Sequence, residues 1–168
     1  MTTTVAAPTL VDALVTQLRF CHGAAHMNLD GLTPEESLLR PQPGGNCANW
    51  ILGHITWVRH AVLIALGEPL PADDRLTQYC RGSDGGMDIA LPLQELMESY
   101  DRLQPLFVSR LQRLTDAELT AKGTLRRTPA GPDATLGAAL SSLVFHESYH
   151  VGQLGVARRL LGKAGAFA

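Results

Sequence analysis

Residues 135–161 read TLGAALSSLVFHESYHVGQLGVARRLL. Within this stretch Ala139, Leu143, His146, His150, Gln153 and Ala157 recur in steps of three and four, the spacing that holds side chains on one face of an α-helix. Thr135, just after a Gly-Pro-Asp turn, can cap the start, and Gly162 stands where a left-handed C-terminal cap belongs. The inward stripe is apolar except for its two histidines and Gln153. Helical residues four apart lie about one turn above another, roughly 6 Å along the axis, so both imidazoles project toward one point. Burying an unpaired imidazole costs free energy, and a divalent metal would use the lone pairs of both rings.

Three further segments carry the same periodicity. Thr9 to Met27 places Leu14, Leu18, Cys21 and Ala25 on a stripe. Asn46 to Leu66 does so with Cys47, Trp50, His54, Trp57, Ala61 and Ala65. Pro92 to Leu114 does so with Leu93, Leu96, Tyr100, Leu103 and Phe107. Pro92 fits a first helical position and Gly67 a C-terminal cap. Pro105 predicts a kink or a split in the third helix. Four amphipathic helices with no strand pattern predict an all-α four-helix bundle, residues 1–168 forming one domain. The connection between the second and third helices, residues 67–91, is long for a bundle and either covers a site, holds short helical turns or is surface filler. Leu32-Thr33-Pro34-Glu35-Glu36 and Leu114-Thr115-Asp116-Ala117-Glu118 repeat a capping-box pattern, each after a long helix, and hint at two related halves.

Composition narrows the function. The formal net charge is −2 and no run of five basic residues occurs, so nucleic acid is not an expected partner. No stretch reaches the ~18 unbroken apolar residues of a membrane span. The first residues lack the pattern of a secretory leader, and the three cysteines, Cys21, Cys47 and Cys80, are too few and too scattered for a disulfide framework, which together predict a cytoplasmic protein.

The six histidines sort by position. His54, on the apolar stripe of the second helix between Trp50 and Trp57, is the natural third ligand to His146 and His150. Three imidazoles leave open positions for water or substrate. His60 lies about 120° around the helix from His54 and cannot easily share the site. His22 and His26, four apart on the first helix, read as surface or end-of-helix residues. Cys47 could ligate a soft metal but reads better as a small core residue. His146-Glu147-Ser148-Tyr149-His150 matches the zinc-protease pattern H-E-x-x-H, yet residues 151–168 hold no His, Asp, Glu or Cys to complete that site. Glu147 is therefore expected as a partner of a ligand, as a base near the metal or as a neighbour on the helix flank.

Asn49-Trp50-Ile51-Leu52-Gly53-His54-Ile55, followed downstream by His146-Glu147-Ser148-Tyr149-His150-Val151-Gly152-Gln153, resembles the DinB-like family of metal-binding helical bundles (DinB/YfiT-like proteins), over nearly the whole chain. The resemblance implies an up-down-down-up bundle, often a homodimer. It implies one divalent metal on His54, His146 and His150, zinc or nickel foremost, with iron, manganese and copper also compatible. It further implies an activity among those of the family. The first is S-transfer from a low-molecular-weight thiol, such as bacillithiol or mycothiol, to a small electrophile in detoxification or stress response. The alternatives are hydrolysis by metal-bound hydroxide, or a non-enzymatic, metal-stapled binding module.

Overall fold

The computed structural model describes residues 7–42, 44–83, 87 and 89–167. The first six residues, read above as lacking a leader, and Asp84-Gly85-Gly86 of the long connection lie outside them. Six α-helices follow in order: α1 (Leu10–Leu29), α2 (Pro34–Leu38), α3 (Ala48–Ala65), α4 (Leu93–Gln112), α5 (Asp116–Thr120) and α6 (Leu136–Leu160). A 3-10 helix, Asp74–Tyr79, lies in the long connection between α3 and α4. Among the described residues there is no strand, only an isolated bridge between Lys122 and Thr135. No described helix is long and apolar enough to cross a membrane.

Local chemistry explains the ends. Thr9, Thr33 and Thr115 each cap a helix, and each accepts from the N3 amide while the N3 carboxylate (Asp12, Glu36, Glu118) accepts from the cap's own N–H. Thr135 caps α6 through Ala138. Gly67 and Gly162 hold φ of +86° and +78°, the left-handed geometry that lets α3 and α6 stop where they do. Two expectations shift. Pro92 is the N-cap of α4 rather than its first helical residue. Pro105 does not split α4: it sits on an exposed face, where the Asp101 carbonyl deprived of its N–H partner can turn to water.

The four long helices form a ring. Both α1 and α3 pack on α4 and on α6, so α1 and α3 stand on one diagonal and α4 and α6 on the other. The element order repeats: long, short, long in α1–α2–α3, and again in α4–α5–α6, with a capping box opening each short helix. One part of the core gathers Leu14, Leu18, Leu63, Phe107, Leu111 and Leu140. The other gathers Ala25, Trp50, Ile55, Tyr79, Leu96 and Leu154. Full burial of each large apolar side chain contributes on the order of 2 kcal/mol. The second part of the core carries the histidines.

Candidate metal centre

His54 projects from α3, and His146 and His150 from successive turns of α6, into the α3/α6 seam. Their ligating atoms lie within 4.8 Å of one another. The Nε2 atom of His146 is 3.3 Å from that of His54 and 3.1 Å from that of His150. His54 and His150 are buried, and His146 is half-buried, at the opening of the site.

The outer ring nitrogens determine which lone pairs face inward. His54 Nδ1 is 2.7 Å from the Tyr79 carbonyl oxygen, which can only accept, so the proton resides on Nδ1 and the Nε2 lone pair points into the site. His150 Nδ1 donates in the same way to Gln153 Oε1 at 2.8 Å. Two inward lone pairs therefore converge on His146 Nε2. A single proton there can satisfy only one of them, and His146 Nδ1 is itself buried with no partner. A divalent cation meets all three nitrogens at once, so the residues fit a metal.

Electrostatics agree. Burial pushes the His146 ring down to about 4, and the neighbouring His150 and His54 act in the same direction. Burial also lowers His54, against the Tyr79 carbonyl, and lowers His150, against Gln153. Each of these shifts favours the neutral ring, the form that ligates a metal, and the shift is largest at His146.

The surroundings hold these rings in place. Trp50 stacks on His54 with centroids 4.9 Å apart and planes 7° from parallel. Gly53 lets the 3-10 helix approach: a Cβ there would lie 2.3 Å from the Tyr79 ring. Tyr79 is fully buried and pinned, its hydroxyl donating to Asn49 Oδ1 and accepting from the Leu91 amide. Thus a glycine on α3 allows the contact that fixes the tautomer of the next residue, His54.

Glu147 points elsewhere. Its carboxylate takes two hydrogen bonds from Arg59, at 2.9 and 2.6 Å, and one from the Tyr100 hydroxyl at 2.8 Å. The Arg59 guanidinium stands 4.1 Å from the Tyr100 ring centroid. All three residues are buried, tying α3, α4 and α6 together beside His146. Arg59 was not anticipated from sequence. Its signal was a lone charge in the apolar run of α3, which a buried partner explains.

The remaining candidates separate from this centre. Cys47 is buried and caps α3, its sulfur 3.5 Å from the Trp50 amide. His60 Nε2 is 3.0 Å from the Pro71 carbonyl oxygen. His22 and His26 are not idle at the surface: both meet Asp101 of α4.

The DinB superfamily model matches residues 17–154. No curated protein matches the chain. Among solved structures, a conserved protein from Enterococcus faecalis superposes with a TM-score of 0.75 at 18% identity, covering 94% of this chain and 100% of its own. YfiT from Bacillus subtilis, described as "a probable metal-dependent hydrolase with an unusual four-helix bundle topology", superposes with a TM-score of 0.70 at 15% identity, covering 98% of this chain and 94% of its own. These likenesses agree with the helical bundle, and the family match spans α3 and both α6 histidines. The chain belongs to the DinB superfamily.

Proposed function

We propose that this protein is a metal-dependent enzyme that transfers a low-molecular-weight thiol to a small electrophile, using His54, His146 and His150 to hold one divalent ion, zinc or nickel foremost. The convergence of three Nε2 atoms on one point, two of them with their outer nitrogens committed, carries this reading. A bound divalent ion supplies Lewis acidity, lowering the pKa of a thiol or water that reaches it. His146, at the opening, leaves a side for substrate to approach. Trp50 and Trp57 stack about His54 and orient its ring. Arg81 acts electrostatically on His54 and His146, and its positive charge favours an anionic group there. Glu147 is engaged by Arg59 and Tyr100, so we assign it a positioning role rather than that of a base. Thiol transfer suits such a site because it needs no further base: the sulfur forms a bond to carbon, the leaving group departs, and the thiol proton goes to solvent.

Metal-loaded protein, bacillithiol or mycothiol and a chromogenic aryl halide test the reading. Thiol-dependent turnover that falls at least about 100-fold in His54→Ala is expected; equal rates in the two proteins remove it. The description of the Bacillus protein supports a second reading, hydrolysis at the same triad, and turnover of esters or amides without thiol would select it. No turnover on either class, with a large fall in melting temperature on chelation, would leave a metal-stapled binding module. The exposed Phe145, Tyr149, Val156 and Leu160 of α6 support a homodimer, which sedimentation would show as twice the chain mass.

A further inference from the structure

The ring of helices has a second polar seam opposite the first. The triad occupies the α3/α6 seam; His22 and His26 on α1 face Asp101 on α4 across the α1/α4 seam. His22 Nε2 is 3.2 Å from Asp101 Oδ1, and His26 Nε2 is 2.6 Å from the same oxygen. The ligating atoms of the three residues lie within 4.8 Å of one another. We propose that His22, His26 and Asp101 form a second divalent-cation site, separate from the histidine triad.

Several observations support it. The histidines are four apart on one helix, the spacing that aims two imidazoles at one point. Two nitrogens and a carboxylate oxygen from facing helices make a two-histidine, one-carboxylate set with open positions, a donor combination suited to zinc and its neighbours. Ligand atoms around a tetrahedral zinc with bonds of ~2.0–2.1 Å stand about 3.3 Å apart, the His22–Asp101 spacing. The His26–Asp101 pair must open by about 0.7 Å, and Asp101, on the exposed rim, has room to move. His22 is stacked on Tyr100 with centroids 4.8 Å apart, so one ligand is already oriented. The seam is reachable: the side chains of His22, His26 and Asp101 are 22%, 36% and 47% exposed, and His22 also lines a surface cleft of about 380 Å³ with Arg19, Gln104 and Val108. Water or a small ligand can complete the coordination. The ring sets α1 against α4 as it sets α3 against α6, and each of these seams holds a histidine pair from one helix and a single ligand from the other.

Zinc titrated calorimetrically into metal-stripped protein tests the proposal, with His146→Ala used to disable the triad. One equivalent is expected to bind to His146→Ala, and adding Asp101→Asn or His26→Ala should weaken it at least tenfold. In wild type, the imidazole NMR signals of His22 and His26 should shift as the second equivalent is added, a readout that does not depend on any variant folding. Loss of all zinc binding in His146→Ala with His22 and His26 signals unmoved in wild type would overturn the proposal, as would zinc binding indifferent to Asp101→Asn. Failure of the triad reading looks different: wild type and His146→Ala would then bind the same amount.

Discussion

His146 stands between two imidazoles whose outer nitrogens are already engaged, and this makes the metal-free site sensitive to acid. In the unfolded chain its ring takes a proton near 6.5, in the folded chain only near 4. Across that window the unfolded state binds more protons, so the stability held above about 6.5 is lost progressively as pH falls toward 4. The urea midpoint of metal-free protein should therefore drop between pH about 7.5 and about 5, and His146→Gln should reduce the drop. An unchanged midpoint would remove the electrostatic account of the site. Gly53 gives a second prediction at this scale. Gly53→Ala forces a Cβ against the pinned Tyr79 ring and pulls the carbonyl away from His54. We expect zinc affinity to fall about 10- to 100-fold. Gly23→Ala, with nothing within 4 Å of the added carbon, should leave affinity unchanged and stabilise α1 slightly. The His146–His150 pair was legible from its i, i+4 spacing and His54 from its place on an apolar stripe, because both are local patterns. Tyr79 was not, since its role runs through a backbone carbonyl and a close approach to Gly53 that only the fold brings about.

The long helices were legible to within two residues at every end, since periodicity and caps are written locally. The short helices followed from their Thr…Glu pairs. What holds α3, α4 and α6 in register was not legible: the Arg59–Glu147–Tyr100 cluster joins residues far apart in the chain, and only the lone charge within α3 hinted at it. Glu147→Ala would strand the fully buried Arg59 guanidinium without its counter-charge, and we expect a loss of about 3–5 kcal/mol in urea unfolding of metal-free protein. A loss under about 1 kcal/mol would show that the cluster is not the brace described. Thr115→Ala, which removes the cap from α5, should cost only about 1 kcal/mol by the same measurement.

At the scale of the molecule, the ring places α3 against α6 although the 3-10 helix, α4, α5 and their connections separate them in sequence. That pairing, rather than any local motif, brings His54 to His146 and His150. The residues were identifiable one by one, but their convergence is a property of the fold. It also explains why His22 and His26, unremarkable on α1 alone, acquire a shared carboxylate partner once α4 packs beside them. The central claim is that the α3/α6 seam holds a divalent ion through three histidines. Its most direct test is the zinc content of tag-free protein after zinc loading and gel filtration, measured by mass spectrometry for wild type beside His146→Ala. The account predicts that the variant retains one equivalent less than wild type; equal content in the two proteins would contradict it.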